Sequence, residues 1–383
     1  MQQLVREAMA AGAVGFSTTT SESHNGAGGV PMPSRLATDD ELSALVTAMG
    51  DSGRGVFMIT KGANTSVAFL EAVSARSRRP VVVAALLHNS TVPEGVFDDL
   101  AAIASASERG NRMYGAVSAC PLVFEFSLRS PYPLEGLAAW KAVAMAGPEQ
   151  TAAVLAGTDL RQAIKDELSR PASVRLFNGE WQNLQVGTVA LDSHRNFEGQ
   201  SIATLATAAG KHPLDFMFDL ALAENLETVF LGAILNWDES AVARLLLHQH
   251  SLVSLSDAGA HLNFLCDAGF GLHLLGFWCR EKALFELPHA IRRLTAEPAA
   301  CFCFIDRGLL RPGAWADLML FDPAQVGRGP RRRAHDLPAG ATRIDTAALG
   351  LRGVWVNGVR VVDEAGAIAG AGRPGQLLRR FNA

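Results

Sequence analysis

The chain has 383 residues, is 49% hydrophobic and 19% charged, and carries a net charge of −4. That is enough apolar material for a large buried core, and it is long for a single domain. The charge balance offers no basic field for nucleic acid, and no apolar run approaches the ~18 residues that span a bilayer, so neither partner is expected.

The first residues, MQQLVREAMAAG, read as an amphipathic helix rather than a signal peptide. Strand-like runs then recur: AVGFST (13–18), GVFMIT (55–60), PVVVAALLH (80–88), MYGAVSAC (113–120), SVRLF (173–177), ETVFLGAIL (227–235) and SLVSLSD (251–257). Several are continuously apolar, as strands covered on both faces must be. Helical patterns separate them at 39–50, 65–77, 95–110 and 238–249, and Thr38 with Glu41 three positions on predicts a capping box before the first. Strand alternating with helix predicts βαβ units and a parallel sheet. From about 121 to 225 the rhythm weakens around PLVFEFSLRSPYPL, and an insertion over one end of the sheet is expected there.

After Pro298 the pattern changes to short β segments at 316–323, 353–362 and 366–375, and Asn357-Gly358 between apolar runs predicts a hairpin. The expected organisation is α/β: a partial TIM-like βα barrel over 1–305, carrying the insertion, and a β-sandwich portion over 306–383. The run Arg331-Arg332-Arg333 reads as a solvated loop. Cys120, Cys266, Cys279, Cys301 and Cys303 are odd in number and sit in apolar surroundings, so buried free thiols in a reducing, cytoplasmic setting are expected.

Catalytic groups on parallel sheets sit at the carboxyl ends of the strands. That rule selects Lys61, His88, Cys120 and Asp257. A neutral imidazole at His88 and a carboxylate at Asp257 suit a divalent ion such as Zn²⁺, and an ionised Asp beside a metal-bound water can move the attacking proton. The bland readings stand beside these: a core histidine bonded to a backbone carbonyl, and a turn-capping aspartate. Cys120 reads better as a small buried hydrophobe.

SLSDAGAHLNF resembles the final-strand metal-Asp motif of the amidohydrolase superfamily. LTAEPAACF, then DRGLLRPGAWADLMLFDP and GVWVNGVRVV, is similar to that superfamily's carboxyl-terminal signature. The opening GAVGFSTTTSESHNGAGGVPMPSRLATDDELSAL is similar to the N-acyl-D-amino-acid deacylase branch. The resemblance covers nearly the whole chain but only the latter part of a family member; the family's His-x-His strand and Cys ligand precede it, and a truncated gene product or under-called start is the expectation.

The resemblance implies metal ligation by His88 and Asp257, with Asp257 also the catalytic proton shuttle. Lys61 stands where the branch places a metal-binding histidine; a protonated amine cannot ligate a cation, so Lys61 would need deprotonation or carboxylation, or would act as a fixed positive charge. His24, Asn25, Arg35, Arg129 and His261 are candidate substrate contacts, the arginines through bidentate binding of a carboxylate. The implied activity is metal-dependent hydrolysis of a linear amide in a small N-acyl amino acid, with zinc as the family's metal. A degenerate relative that binds without turnover, and a cyclic-amide hydrolase, are the alternatives.

Overall fold

The computed structural model describes residues 1–22, 24–26, 30–170, 172, 175–256, 264–265 and 267–379. Strands β1 (Gly15–Thr19), β2 (Val56–Thr60), β3 (Val81–Ala84) and β4 (Met113–Val117) pair side by side, all parallel. Helices Asp39–Gly50, Val67–Ser77 and Gly95–Glu108 make the crossovers between them. Each of the first two crossover helices begins at a hydroxyl cap: Thr38 accepts from the Glu41 amide and Ser66 from that of Phe69, both side chains filling an otherwise orphan donor.

Between β4 and the last parallel strand the chain makes an excursion through β5 (Leu122–Phe126), β6 (Leu184–Thr188) and β7 (Val229–Leu235), an antiparallel sheet in the order β5-β7-β6. Only then does β8 (Ser251–Val253) pair with β4, giving a parallel sheet in the order β1-β2-β3-β4-β8. The run 227–235, expected among the parallel strands, belongs instead to the inserted sheet. Its burial alternates residue by residue, the mark of a strand covered on one face. The run 173–177 also departs from expectation: residues 175–177 form no strand, and 173 and 174 lie outside the described residues.

The pleat sorts the parallel strands' side chains. Phe57, Ile59, Val81, Val83, Val117 and Val253 point to the helices and join Leu70, Leu100, Ile103 and Leu245 in the main core. Val56, Val82, Ala84, Ala116 and Leu252 point the other way and gather with Cys301. Both faces are apolar, which is why these strands read as unbroken hydrophobic runs. The excursion has its own core, in which Trp140, Ile164, Phe218 and Phe230 are buried.

After β8 comes a short helix, Phe270–His273, that continues as the π-helical segment Leu274–Glu281. The remaining strands are β9 (Leu318–Phe321), β10 (Gly327–Ala334), β11 (Arg343–Leu349), β12 (Leu351–Val356), β13 (Val359–Asp363) and β14 (Gly366–Ala367). β10 and β11 form one antiparallel pair, and β14-β13-β12-β9 a second small sheet. Asn357 and Gly358, at φ 49° and 84°, form the tight turn between β12 and β13, where positive φ at both positions matches the strand twist. The basic run is not a solvated loop. It lies in β10, with Arg331 on Asp267, Arg332 on Asp345 and Arg333 on Glu125, because alternate strand positions face neighbouring elements that carry the acids.

Candidate functional site at the carboxyl ends of the parallel strands

The carboxyl ends of β1 and β2 are laced together just where Lys61 emerges. The Thr20 amide donates to the Thr60 carbonyl at 3.0 Å, the Gly62 amide to Thr20 Oγ1 at 3.0 Å, and the Ala63 amide to Glu22 at 3.1 Å. Thr20 and Thr65 share a hydroxyl hydrogen bond of 2.7 Å. Gly62 is required here, since a Cβ would fall 2.1 Å from the Thr20 carbonyl oxygen. The Lys61 amide is tied to the Ala84 carbonyl at 2.8 Å, and its ammonium meets Asp99 at 3.2 Å. Burial holds the Asp99 carboxyl above its ordinary range, against the pull of Lys61. Lys61 is thus the cation of a half-buried ion pair.

His88 follows β3 by four residues and is 5% exposed. Its backbone is gripped by Asn236, which leaves β7 at φ 58°, a conformation asparagine tolerates. The Asn236 amide donates to the His88 carbonyl at 2.8 Å, while Asn236 Oδ1 accepts from the His88 amide at 3.2 Å. The same side chain donates from Nδ2 to the Ser118 and Cys120 carbonyls at 3.0 and 2.9 Å. One buried amide thus joins the ends of β3, β4 and β7. Burial, outweighing Asp238 and Glu94, holds the His88 imidazole below its usual pKa, so the ring is neutral at pH 7. Its Nδ1 is buried and has no hydrogen-bond partner among the described residues. A core histidine would normally satisfy that atom with a carbonyl or hydroxyl.

Asp257 and His261 lie outside the described residues. The chain reaches them from Ser254 and Leu255, whose amides both donate to the Val117 carbonyl, and Asp267 beyond them donates its amide to the Ser256 carbonyl at 3.1 Å. Cys120 is 1% exposed, and burial, reinforced by Asp267, pushes its thiol up to about 12. It accepts from Arg328 at 3.3 Å.

The candidate substrate contacts fall into two places. Arg35 donates to the His24 carbonyl at 3.3 Å and to Asn25 Oδ1, so these three brace one loop after β1. Arg129 is on the excursion, donating to the Asn225 carbonyl at 2.6 Å and pairing with Glu227 at 3.0 Å. The guanidinium is thereby engaged within its own unit and is not brought to the His24 loop.

The residues that the motif reading passed over are Asn236 and Asp267. Asn236 had a weak local signal, an amide directly after an apolar strand. Asp267 had none; it is 2% exposed and is recognisable only from the two arginines of β10 that reach it.

Among the described residues no three His, Cys, Asp or Glu side chains are grouped to hold a metal. The donor chemistry of His88 nonetheless fits one: a neutral ring with a buried, unpartnered nitrogen at the rim where a parallel sheet carries its active groups.

Comparison with known proteins agrees with this architecture. The chain is 33% identical over 192 residues to the N-acyl-D-glutamate deacylase of Alcaligenes xylosoxydans xylosoxydans, an overlap of 49% of this chain and 35% of that protein. It is 42% identical over 99 residues to the N-acyl-D-aspartate deacylase of the same organism, 26% of this chain and 18% of that one. Among solved structures, N-acyl-D-glutamate deacylase from Bordetella bronchiseptica, complexed with zinc and a phosphonate inhibitor that mimics the reaction's tetrahedral intermediate, is 25% identical with a TM-score of 0.58. That match covers 99% of this chain and 65% of the other. A D-aminoacylase crystal structure shares the fold at 20% identity and a TM-score of 0.55. The chain thus spans about a third of the first relative and somewhat under two thirds of the solved deacylase. The amidohydrolase family pattern runs over residues 1–362, from the first helix into β13, and by that match the chain belongs to the amidohydrolase family.

Proposed function

We propose that this chain carries, in His88 and Asp257, two metal ligands of a hydrolase that cleaves the linear amide of small N-acyl-D-amino acids. The observation that carries the reading is His88, a neutral imidazole with an open buried nitrogen, standing where the family resemblance puts a metal-binding histidine. The zinc and the intermediate mimic bound by the Bordetella bronchiseptica enzyme support it. His88 and Asp257 would hold the ion. A divalent cation there, with zinc the first candidate, would supply Lewis-acid polarisation of the acyl carbonyl and an acidified water.

The protein's own part is proton traffic and orientation. The Asp257 carboxylate takes a proton from the water as its oxygen bonds to the acyl carbon, and returns it to the amide nitrogen as the C–N bond breaks. Asn236 fixes the His88 backbone, and the imidazole lies beside the Phe97 ring, with centroids 6.5 Å apart. A cytoplasmic setting is part of the proposal, supported by the free thiols of Cys120, Cys279, Cys301 and Cys303.

A second reading, binding without turnover, draws on the Lys61–Asp99 ion pair, which puts a paired ammonium at the position of an expected ligand. Metal analysis and turnover of N-acetyl-D-glutamate by the purified protein separate the two. Bound zinc with turnover that disappears in Asp257→Asn supports the hydrolase. Turnover unchanged in Asp257→Asn removes that residue from the chemistry, and a protein with neither zinc nor turnover leaves the binding reading.

A further inference from the structure

A cavity of about 590 Å³ lies between the inserted sheet, the π-helical segment and β10. Neither His88 nor Lys61 lines it. Its walls are mainly of two kinds, with the neutral polar Asn183 and Gln185 beside them. Val123, Leu231, Ala233, Phe277 and Leu349 make an apolar side, and Arg280, Arg328 and Arg331 make a cationic one. The π-helical turn and β10 meet tightly, because Gly276 lets the Val326 carbonyl approach to 2.6 Å of where a Cβ would stand.

The charges do not balance. Arg328 and Arg331 both donate to the same oxygen of the buried Asp267, at 2.8 and 3.2 Å. Arg280 pairs with Glu281 at 2.9 Å at the rim. Among the described groups, three guanidiniums therefore meet two carboxylates. His273, pushed down to about 4 by burial and by Arg328, adds a neutral ring rather than a fourth charge. Arg331 also donates to the Val123 carbonyl at 3.3 Å, Arg280 to that of Val326 and Arg328 to Cys120 Sγ at 3.3 Å. Each guanidinium has five N–H donors, more than these acceptors use, and a half-enclosed surplus positive charge is stabilised by an anion. Inorganic phosphate would answer the charge but leave the apolar wall uncovered. An acid with a short hydrocarbon body answers both.

We propose that this cavity binds a small organic acid, with its carboxylate on Arg331 and Arg280 and its apolar body against Leu231, Phe277 and Leu349. Titration calorimetry of the purified protein with hexanoate, 1-hexanol and inorganic phosphate tests it. Saturable one-to-one hexanoate binding is expected, at least tenfold tighter than either hexanol or phosphate. Arg331→Gln should weaken hexanoate at least tenfold. Leu349→Asp should do the same by setting a negative charge at the mouth; Leu349 is 44% exposed and outside the buried cores, so this variant folds even where loss of Arg331 disturbs Asp267. Absence of saturable hexanoate binding overturns the proposal. So does hexanol binding as tight as hexanoate, which leaves only an apolar hole, or phosphate as tight, which leaves only a bare anion site. Full hexanoate affinity in Leu349→Asp overturns it as well.

Discussion

Asn236→Ala is the sharpest probe of how the strand ends are held. The native side chain satisfies three buried backbone groups, the Ser118 and Cys120 carbonyls and the His88 amide. Removing it leaves each without its partner, at roughly 1–3 kcal/mol per buried group, and water entering the gap recovers part of that. Alanine must also hold φ 58°, which costs about 1 kcal/mol more than asparagine. The expected loss is about 3–5 kcal/mol. Urea denaturation at constant m-value reads it as a fall in midpoint. Asn236→Gly removes the same hydrogen bonds but tolerates the backbone, so it should recover about 1 kcal/mol relative to alanine. Asn236→Asp keeps the acceptor for the His88 amide but sets a buried carboxylate oxygen against the Ser118 and Cys120 carbonyls, so at neutral pH it should cost at least as much as alanine. A loss under about 1 kcal/mol in the alanine variant would show that the clamp is not what joins the strands.

Lys61→Met should leave stability almost unchanged below about pH 4 and lower it by about 1–2 kcal/mol at neutral pH. Asp99 already has a folded-state pKa raised above 3.8, so stability declines as pH rises from there toward the raised value, and losing Lys61 deepens that decline; equal loss at all pH values would contradict it. Glu224 behaves in the opposite sense: burial lifts its carboxyl, but hydrogen bonds from Thr228, His194 and the Ala190 and Leu191 amides outweigh that and hold it below 4.5. Its contribution is therefore full above pH 4.5 and lost as pH falls through the folded value, so Glu224→Gln should cost about 2 kcal/mol at neutral pH and flatten the acid limb of the stability curve. An acid limb of unaltered steepness would remove Glu224 from the account. Gly62→Ala should destabilise by about 1–3 kcal/mol, read by thermal denaturation, because the added methyl meets Thr20 backbone rather than a yielding side chain. A wild-type midpoint would mean that the lacing of β1 to β2 can shift freely.

Much of the architecture was legible along the chain, because it rests on short-range rules. Unbroken apolar runs such as PVVVA became strands buried on both faces, Thr38 capped its helix, and Asn357-Gly358 turned the hairpin. The amidohydrolase resemblance was carried by local motifs as well, and the family match bears it out. Strand partnership was not legible in the same way. The run 227–235 has the composition of a parallel strand, yet it pairs antiparallel with β5 and β6, since pairing depends on which distant segments the closing chain brings alongside. Arg331 belonged to an apparently solvated basic run until β10 carried it to a buried acid sixty-four positions away.

From the residues alone came the element types, their caps and turns, the family, and the candidate imidazole and carboxylate at strand ends. Those follow from neighbours within a few positions of one another. Only the folded chain decided that an asparagine on β7 grips the backbone of His88, that Lys61 ends in Asp99, and that three arginines share one cavity wall. Each of these is a meeting of side chains far apart in sequence, fixed by desolvation and hydrogen-bond geometry that no local pattern encodes.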